Sequence, residues 1–267
     1  MTTALDAAPT REALLDQLVA SRIAGRVATP RDNNLRNFGK MSRREPGYTF
    51  GLRPTGTWTP GDVLALMAEK VGVSPDPAFT EGVDTIDPAR TVAALEAMSA
   101  RLALAAGRRE RVLVATGHPA GILAIHLDVV AALRARGCPV LTPAAGAGYT
   151  SERGQFREIR HLGGVAMISG GGGLEHTHSP LPMERMLAAL SAAGQPPPDL
   201  VVADHGWAGA AGQAGVDTVG FADCNDPALF VSEAEGLVRI VVPLDDNVEP
   251  MLYAPLTAYL LQGVAAV

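Results

Sequence analysis

Leu200-Val-Val-Ala-Asp-His-Gly-Trp207 and Thr218-Val-Gly-Phe-Ala-Asp-Cys-Asn-Asp-Pro227 decide the fold. Each opens on an apolar, β-branched run with no polar alternation, then passes through a polar turn into a stretch that a helix can use. An uninterrupted apolar strand needs cover on both faces, which a parallel sheet wrapped by crossover helices provides. Working outward, Val112-Leu-Val-Ala115 precedes a turn and a helical pattern over 120–136, and Val238-Arg-Ile-Val-Val242 repeats the apolar theme. Residues 156–159 and 165–168, flanked by glycines, read as a strand pair, and a further strand is expected near Val140-Leu141. Ser179-Pro180 caps a helix through Met183, Met186 and Leu190 that Gly194 stops. The expectation for residues 108–267 is a Rossmann-like α/β domain, its sheet mostly parallel with helices on both faces.

Residues 1–107 read as a helical N-terminal portion. Thr10 precedes a run that puts Leu14, Leu15, Leu18 and Val19 on one face and ends near Gly25. Thr59-Pro-Gly-Asp62 supplies an N-cap, a proline at the first helical position and an acidic third position, and Asp87-Pro88 opens a third helix in a similar way. Between the first two, residues 29–58 show no period and read as a long polar loop, of a length that compact domains keep for function.

With 22 basic and 28 acidic residues the 267-residue chain carries a formal charge of −6, and no basic run marks a nucleic-acid surface. Cys138 and Cys224 make neither a disulfide framework nor a cysteine zinc site. Residues 251–267 carry no charge, but Pro255, Thr257 and Gln262 interrupt them and they fall short of the ~20 apolar residues of a membrane span. Met1 to Pro9 lacks the basic start and apolar run of a signal peptide. The expected protein is cytoplasmic, with neither nucleic acid nor membrane as partner and its oligomeric state open.

The chemistry collects at strand ends. Thr116-Gly-His-Pro119, Glu175-His-Thr-His-Ser179, Asp204-His-Gly-Trp207, Asp223-Cys-Asn-Asp-Pro227 and Asp245-Asp-Asn247 each follow an extended segment, and all the histidines except His161 lie in or near these turns. The carboxyl ends of parallel strands share one edge, where ligands bind, so the turns should converge on one crevice. His176 and His178 share a side of an extended segment. With Asp204 and Asp223 they form a candidate site for a divalent metal ion, which Asp226 or Asp245 could join; the alternative is a hydrogen-bonded wall without metal. Asp204 and His205 form a candidate acid–base pair, with Asp223 and Asn225 completing the catalytic set. Thr116, Gly117, His118 and Gly121 sit where a strand enters a helix, a place suited to an anion, or to a tight turn alone. His126 reads as a core histidine.

In the N-terminal portion Arg31, Asn33 and Asn34 form a polar cluster in which Arg31 could clamp a phosphate, or the cluster could be a capped turn. Cys224 reads as packing, since the cysteine-phosphatase pattern wants an arginine where Phe230 stands. No Walker A loop, no GxGxxG and no NAD or PLP signature is present.

Taken jointly, Thr29-Pro-Arg-Asp-Asn-Asn34, Asp84-Thr-Ile-Asp-Pro88, the 115–121 turn, His176-Thr-His-Ser-Pro180, Val202-Ala-Asp-His-Gly-Trp-Ala-Gly209 and Ala222-Asp-Cys-Asn-Asp-Pro227 resemble a group of actinobacterial proteins known as phosphatases. The resemblance runs from about Arg11 onward. It implies hydrolysis of a phosphate ester, here of a small phosphorylated metabolite. The residues leave a second class open, a non-catalytic protein that binds a nucleotide or anion in the same crevice, and a third, an isomerase or transferase using Asp204 and His205. The density of ionisable groups at one edge favours an enzyme.

Overall fold

The near-continuous apolar runs form the centre of a sheet in the computed structural model, which describes residues 8–151 and 154–267. The chain begins with α1 (Arg11–Ala20), β1 (Gly25–Pro30), α2 (Arg31–Ser42), α3 (Pro60–Lys70), β2 (Val83–Ile86) and α4 (Pro88–Arg108). It continues through β3 (Val112–Ala115), α5 (Pro119–Ala135), β4 (Gly148–Thr150), β5 (Phe156–Leu162), β6 (Val165–Gly170) and β7 (Gly173–Leu174). Next come α6 (Leu181–Ala192), β8 (Leu200–Asp204), α7 (His205–Gln213), β9 (Thr218–Ala222), α8 (Pro227–Ala234) and β10 (Ile240–Pro243). A 3-10 turn, Pro250–Tyr253, leads into α9 (Ala254–Ala265).

The main sheet runs β10-β9-β8-β3-β6-β5-β4, parallel from β10 to β6 and antiparallel beyond, with β7 paired to β6. The fold is thus α/β with a mostly parallel central sheet. Every residue of β3, β8 and β9 is buried, and each fully buried Val or Leu contributes about 1.5–3 kcal/mol. Helices α4, α5 and α9 with α1 form one packed group, and α6, α7 and α8 with α3 a second. From β3 the chain goes first to β6 on one side and afterwards to β8 on the other. That reversal opens a crevice beyond the carboxyl ends of β3 and β8. The strand expected near 140 is a single bridge, Val112 to Val140.

The N-terminal portion is not purely helical. β1 and β2 pair antiparallel, and Arg31–Ser42, read as loop from the sequence, is the helix α2. Its buried stripe is Arg31, Asn34, Phe38 and Met41, a helical spacing hidden from a hydrophobicity reading because two of the four are polar. The Thr59–Asp62 capping box and the Asp87 cap form as expected. Leu14, Val92 and Leu95 share one hydrophobic cluster with β3 and β8. Among the described residues, no helix is long and apolar enough to cross a membrane.

Candidate active site

β8 ends at Asp204, and the chain turns into α7 through His205, whose φ of 45° is in the left-handed region. Such a backbone costs about 1–3 kcal/mol in a non-glycine residue and persists where its surroundings hold it. Here the holder is Asp204, whose wholly buried Oδ1 accepts from the Gly117 amide (2.6 Å) and from His205 Nδ1 (2.8 Å). Burial works against charge on Asp204, but the hydrogen bond and charge of His205, then His126 and Thr116, hold its pKa at about 2. An ionised Asp204 makes Nδ1 the donor and leaves His205 Nε2 for the crevice. Gly117 also accepts the Thr177 amide at 2.8 Å, and a Cβ on it would overlap the Thr177 carbonyl. That close approach seats the His176-Thr177-His178 segment against the β3 turn.

Three imidazole nitrogens meet there. His178 Nε2 lies 3.1 Å from His176 Nε2, which lies 3.4 Å from His205 Nε2. His118 stacks on His176 with 4.3 Å between ring centroids, and its Nδ1 is 3.2 Å from Asp246 Oδ1. Desolvation, then the charge of His205, lowers His176 to about 4 and His178 to about 3, so both rings are neutral near pH 7. His205 goes the other way: burial opposes its charge, but Asp226, Asp204 and Asp246 raise it to about 10.

Carboxylates complete the crevice. Asp226 Oδ2 and Asp246 Oδ2 lie 3.4 and 3.6 Å from His205 Nε2. Asp223 Oδ2 accepts from Thr29 Oγ1 at 2.7 Å, and Asp245 Oδ2 accepts from the Ala28 amide at 3.3 Å. Among the described residues, Asp246 Oδ2 is buried without a hydrogen-bond partner. Burial raises Asp223 and Asp245, and it brings Asp226 to about 7 although His205 pulls it down. Among the described residues, three sets of donor atoms lie within 4.8 Å of one another inside each set: His118, His176 and His205; His178, His205 and Asp226; Asp223, Asp245 and Asp246.

A family model described as Phosphatase matches residues 9–267. The chain belongs to this Phosphatase family. Phosphatase SCO2771 of Streptomyces coelicolor is 50% identical to it over 255 residues, which cover 95% of each chain. The activity class that goes with the family is hydrolysis of phosphate esters.

In this Phosphatase-family chain the crevice is a cleft of about 450 Å³. It brings together His118, His176, His178, His205, Asp223, Asn225 and Asn33, all singled out from the sequence. Asp204, Thr116 and Gly117 lie beneath it. Asp204 offers it no oxygen, because Oδ1 is engaged and Oδ2 is buried 3.6 Å from His126 Nε2. His126 is fully buried with Nδ1 on the Ile122 carbonyl, in keeping with a core histidine. Cys224 is also buried, and burial followed by the Asp223 charge keeps its thiol protonated.

Arg31 and Asn34 stand behind the cleft. Arg31 is wholly buried, with Nη1 on Asp84 (2.6 Å), Nε on the Phe79 carbonyl (2.9 Å) and Nη2 on the Asp76 carbonyl (3.0 Å). Asn34 Nδ2 donates to the same Asp84 carboxylate at 2.9 Å. A clamp on phosphate is therefore replaced by an internal ion pair. Gly121 also differs from its reading, since a Cβ there would overlap the Asp246 carbonyl oxygen, so the glycine admits protein backbone rather than ligand. Gly121→Ala is accordingly expected to lose about 1–3 kcal/mol of stability and to displace Asp246. A denaturant melt beside a kinetic assay checks this; an unchanged melt would show that the 246 turn has room to move. Asp246, Tyr48, Asn37 and Thr29 escaped the site assignment made from sequence. The Asp245-Asp246 doublet was visible at a strand end, but nothing in it says which carboxylate meets His118, and Tyr48 gave no signal.

Proposed function

We propose that this member of the Phosphatase family hydrolyses a monoester of a small phosphorylated metabolite in this cleft, at a divalent-metal centre. The observation that carries the reading is the meeting of His176, His178 and His205 through Nε2, 3.1 and 3.4 Å apart, beside a buried Asp246 Oδ2 that has no hydrogen-bond partner among the described residues. Neutral imidazole is the ligating form, which His176 and His178 already hold, while His205 would give up a proton to an incoming cation; mixed imidazole and carboxylate donors suit first-row divalent ions. The residues present fit such an ion. His118, His176 and His205 would form one group of ligands and Asp223, Asp245 and Asp246 another, with His178 and Asp226 grouped on His205. When bound, the metal supplies Lewis-acid stabilisation of phosphoryl charge and a more acidic water.

The chain's own groups do the placing. Asp204 fixes the His205 ring through Nδ1 and acts on the reaction only through it. Thr29 and the Ala28 amide fix Asp223 and Asp245, and Asn225 meets the substrate beside Asp226 with an uncharged amide. In the overall step a water oxygen bonds to phosphorus, the ester P–O bond breaks, and the departing alcohol oxygen takes a proton. The non-catalytic reading of the same cleft is outweighed by the family's activity class.

Elemental analysis of the purified protein, followed by phosphate release before and after chelation, tests the proposal. Chelation is expected to lower turnover at least about 100-fold, with recovery on adding back a divalent ion. Because the cation displaces protons from its ligands, its apparent affinity should weaken as pH falls. Full turnover from protein shown to be metal-free would overturn the metal centre. Thermal stabilisation by phosphate esters with no hydrolysis of any of them would favour the binding reading.

A further inference from the structure

Four of the chain's five asparagines, Asn33, Asn37, Asn225 and Asn247, line the same cleft as the imidazoles and carboxylates, and Tyr48 joins them. Among the described residues, no lysine or arginine lines it. The basic groups of α2 are already engaged. Arg31 faces Asp84, Arg36 pairs with Asp32 at 2.6 Å, and Lys40 Nζ donates to the Tyr48 hydroxyl at 2.8 Å. Because that hydroxyl accepts from Lys40, its own proton is left for a ligand.

Uncharged amides and a phenol thus share the cleft with its carboxylates. Resting on the phosphatase reading, we infer that the substrate is a monophosphate ester of an uncharged, hydroxyl-rich body, a sugar or polyol phosphate. Its single phosphoryl group belongs at the imidazole and carboxylate end, and its hydroxyls are read by Asn33, Asn247 and Tyr48. A side-chain amide carries a donor and an acceptor side by side, as neighbouring hydroxyls do, so the two match without charge. Asn37 has spent its Nδ2 on the Asn225 carbonyl (3.0 Å) and keeps an amide oxygen for a hydroxyl donor.

A second phosphate or a carboxylate on the body finds no such match. It would need a guanidinium or ammonium partner, and instead it would meet the field of Asp226, Asp245 and Asp246. A nucleobase would look for stacking surface, and among the described residues Tyr48 is the one aromatic residue besides the histidines in the lining. The 450 Å³ volume sits toward the small end of the roughly 300–1,000 Å³ range of ligand pockets.

The test is a substrate panel with the intact protein and a divalent ion supplied. It compares sugar and polyol monophosphates, a sugar bisphosphate, a phosphorylated hydroxy acid, a nucleoside monophosphate and phenyl phosphate by kcat/KM. Sugar or polyol monophosphates are expected to lead the bisphosphate and the carboxylated ester by at least about tenfold, one lost or unmatched hydrogen bond's worth. In Asn33→Leu and Asn247→Leu the ratio of kcat/KM for the best polyol phosphate to that for phenyl phosphate should fall about tenfold. Preference for the bisphosphate, the carboxylated ester or the nucleotide, with phenyl phosphate still hydrolysed, overturns this inference and leaves the phosphatase reading standing. Hydrolysis of none of the panel, phenyl phosphate included, overturns both.

Discussion

His205→Asn is expected to lower kcat/KM for phosphate release by about three orders of magnitude, roughly 4 kcal/mol of transition-state stabilisation, and to deplete bound metal. Asparagine is the replacement of choice because it tolerates the left-handed backbone that position 205 requires at φ 45°. The change therefore removes the imidazole without forcing the β8–α7 turn to move. The size of the effect follows from His205 belonging to two of the three donor sets and being the residue through which Asp204 reaches the cleft. Groups that act as a unit lose function together, so the double variant His205→Asn, His176→Ala should be little worse than the single one. Steady-state kinetics and metal stoichiometry on both variants, with a thermal melt as control for folding, decide the matter. Activity within tenfold of the parent would remove His205 from the centre, and losses that simply multiply would dissolve the unit.

Arg31→Met is expected to cost about 3–5 kcal/mol of stability, because it leaves a buried carboxylate without its cation. Asp84 is 1% exposed and also accepts from Asn34 and from the Ser74 and Thr85 amides, so it cannot swing out to water. For a chain of this size the melting temperature should drop by roughly 10 °C. Arg31→Met combined with Asp84→Asn should recover part of the loss, since the amide keeps accepting hydrogen bonds without an uncompensated charge. Well below the melt, kcat/KM should change only a few-fold. A large rise in KM with an unaltered melt would return Arg31 to the role of a phosphate clamp.

These two residues mark what the sequence discloses and what it hides. Runs such as Leu200-Val-Val-Ala203 are apolar throughout because they are covered on both faces, and that cause leaves its trace in one strand alone. The convergence of Thr116–His118, Asp204–His205 and Asp223–Asn225 then follows from parallel strands sharing an edge, whereas His176–His178 follows the antiparallel β7 and is brought in by the Thr177 amide on the Gly117 carbonyl. Arg31 offers no comparable trace. Its partner Asp84 lies 53 positions away, and a guanidinium buried on an aspartate looks, in a string of letters, like one meant for phosphate. Helix α2 was hidden for the same reason, since Arg31 and Asn34 occupy the buried stripe where apolar residues would have announced it. Gly121 was correctly seen as a place of close approach, but the approaching backbone comes from a turn near the other end of the chain.

The threads that close the cleft have a temporal side. Thr29 to Asp223, Ala28 to Asp245 and Asn37 to Asn225 span 194, 217 and 188 positions. At the usual pace of translation, about 5–20 residues per second, Ala28 waits roughly 10–40 s for Asp245 to be made. Contacts that close loops of this length come late in folding, after the entropy of closure has been met by the sheet. The helices and inner strands can therefore begin to condense while the mouth of the cleft is still two distant pieces of chain. A polypeptide still being synthesised has its histidines but not the walls that hold them, and so it cannot turn over phosphate esters until the last strand is in place.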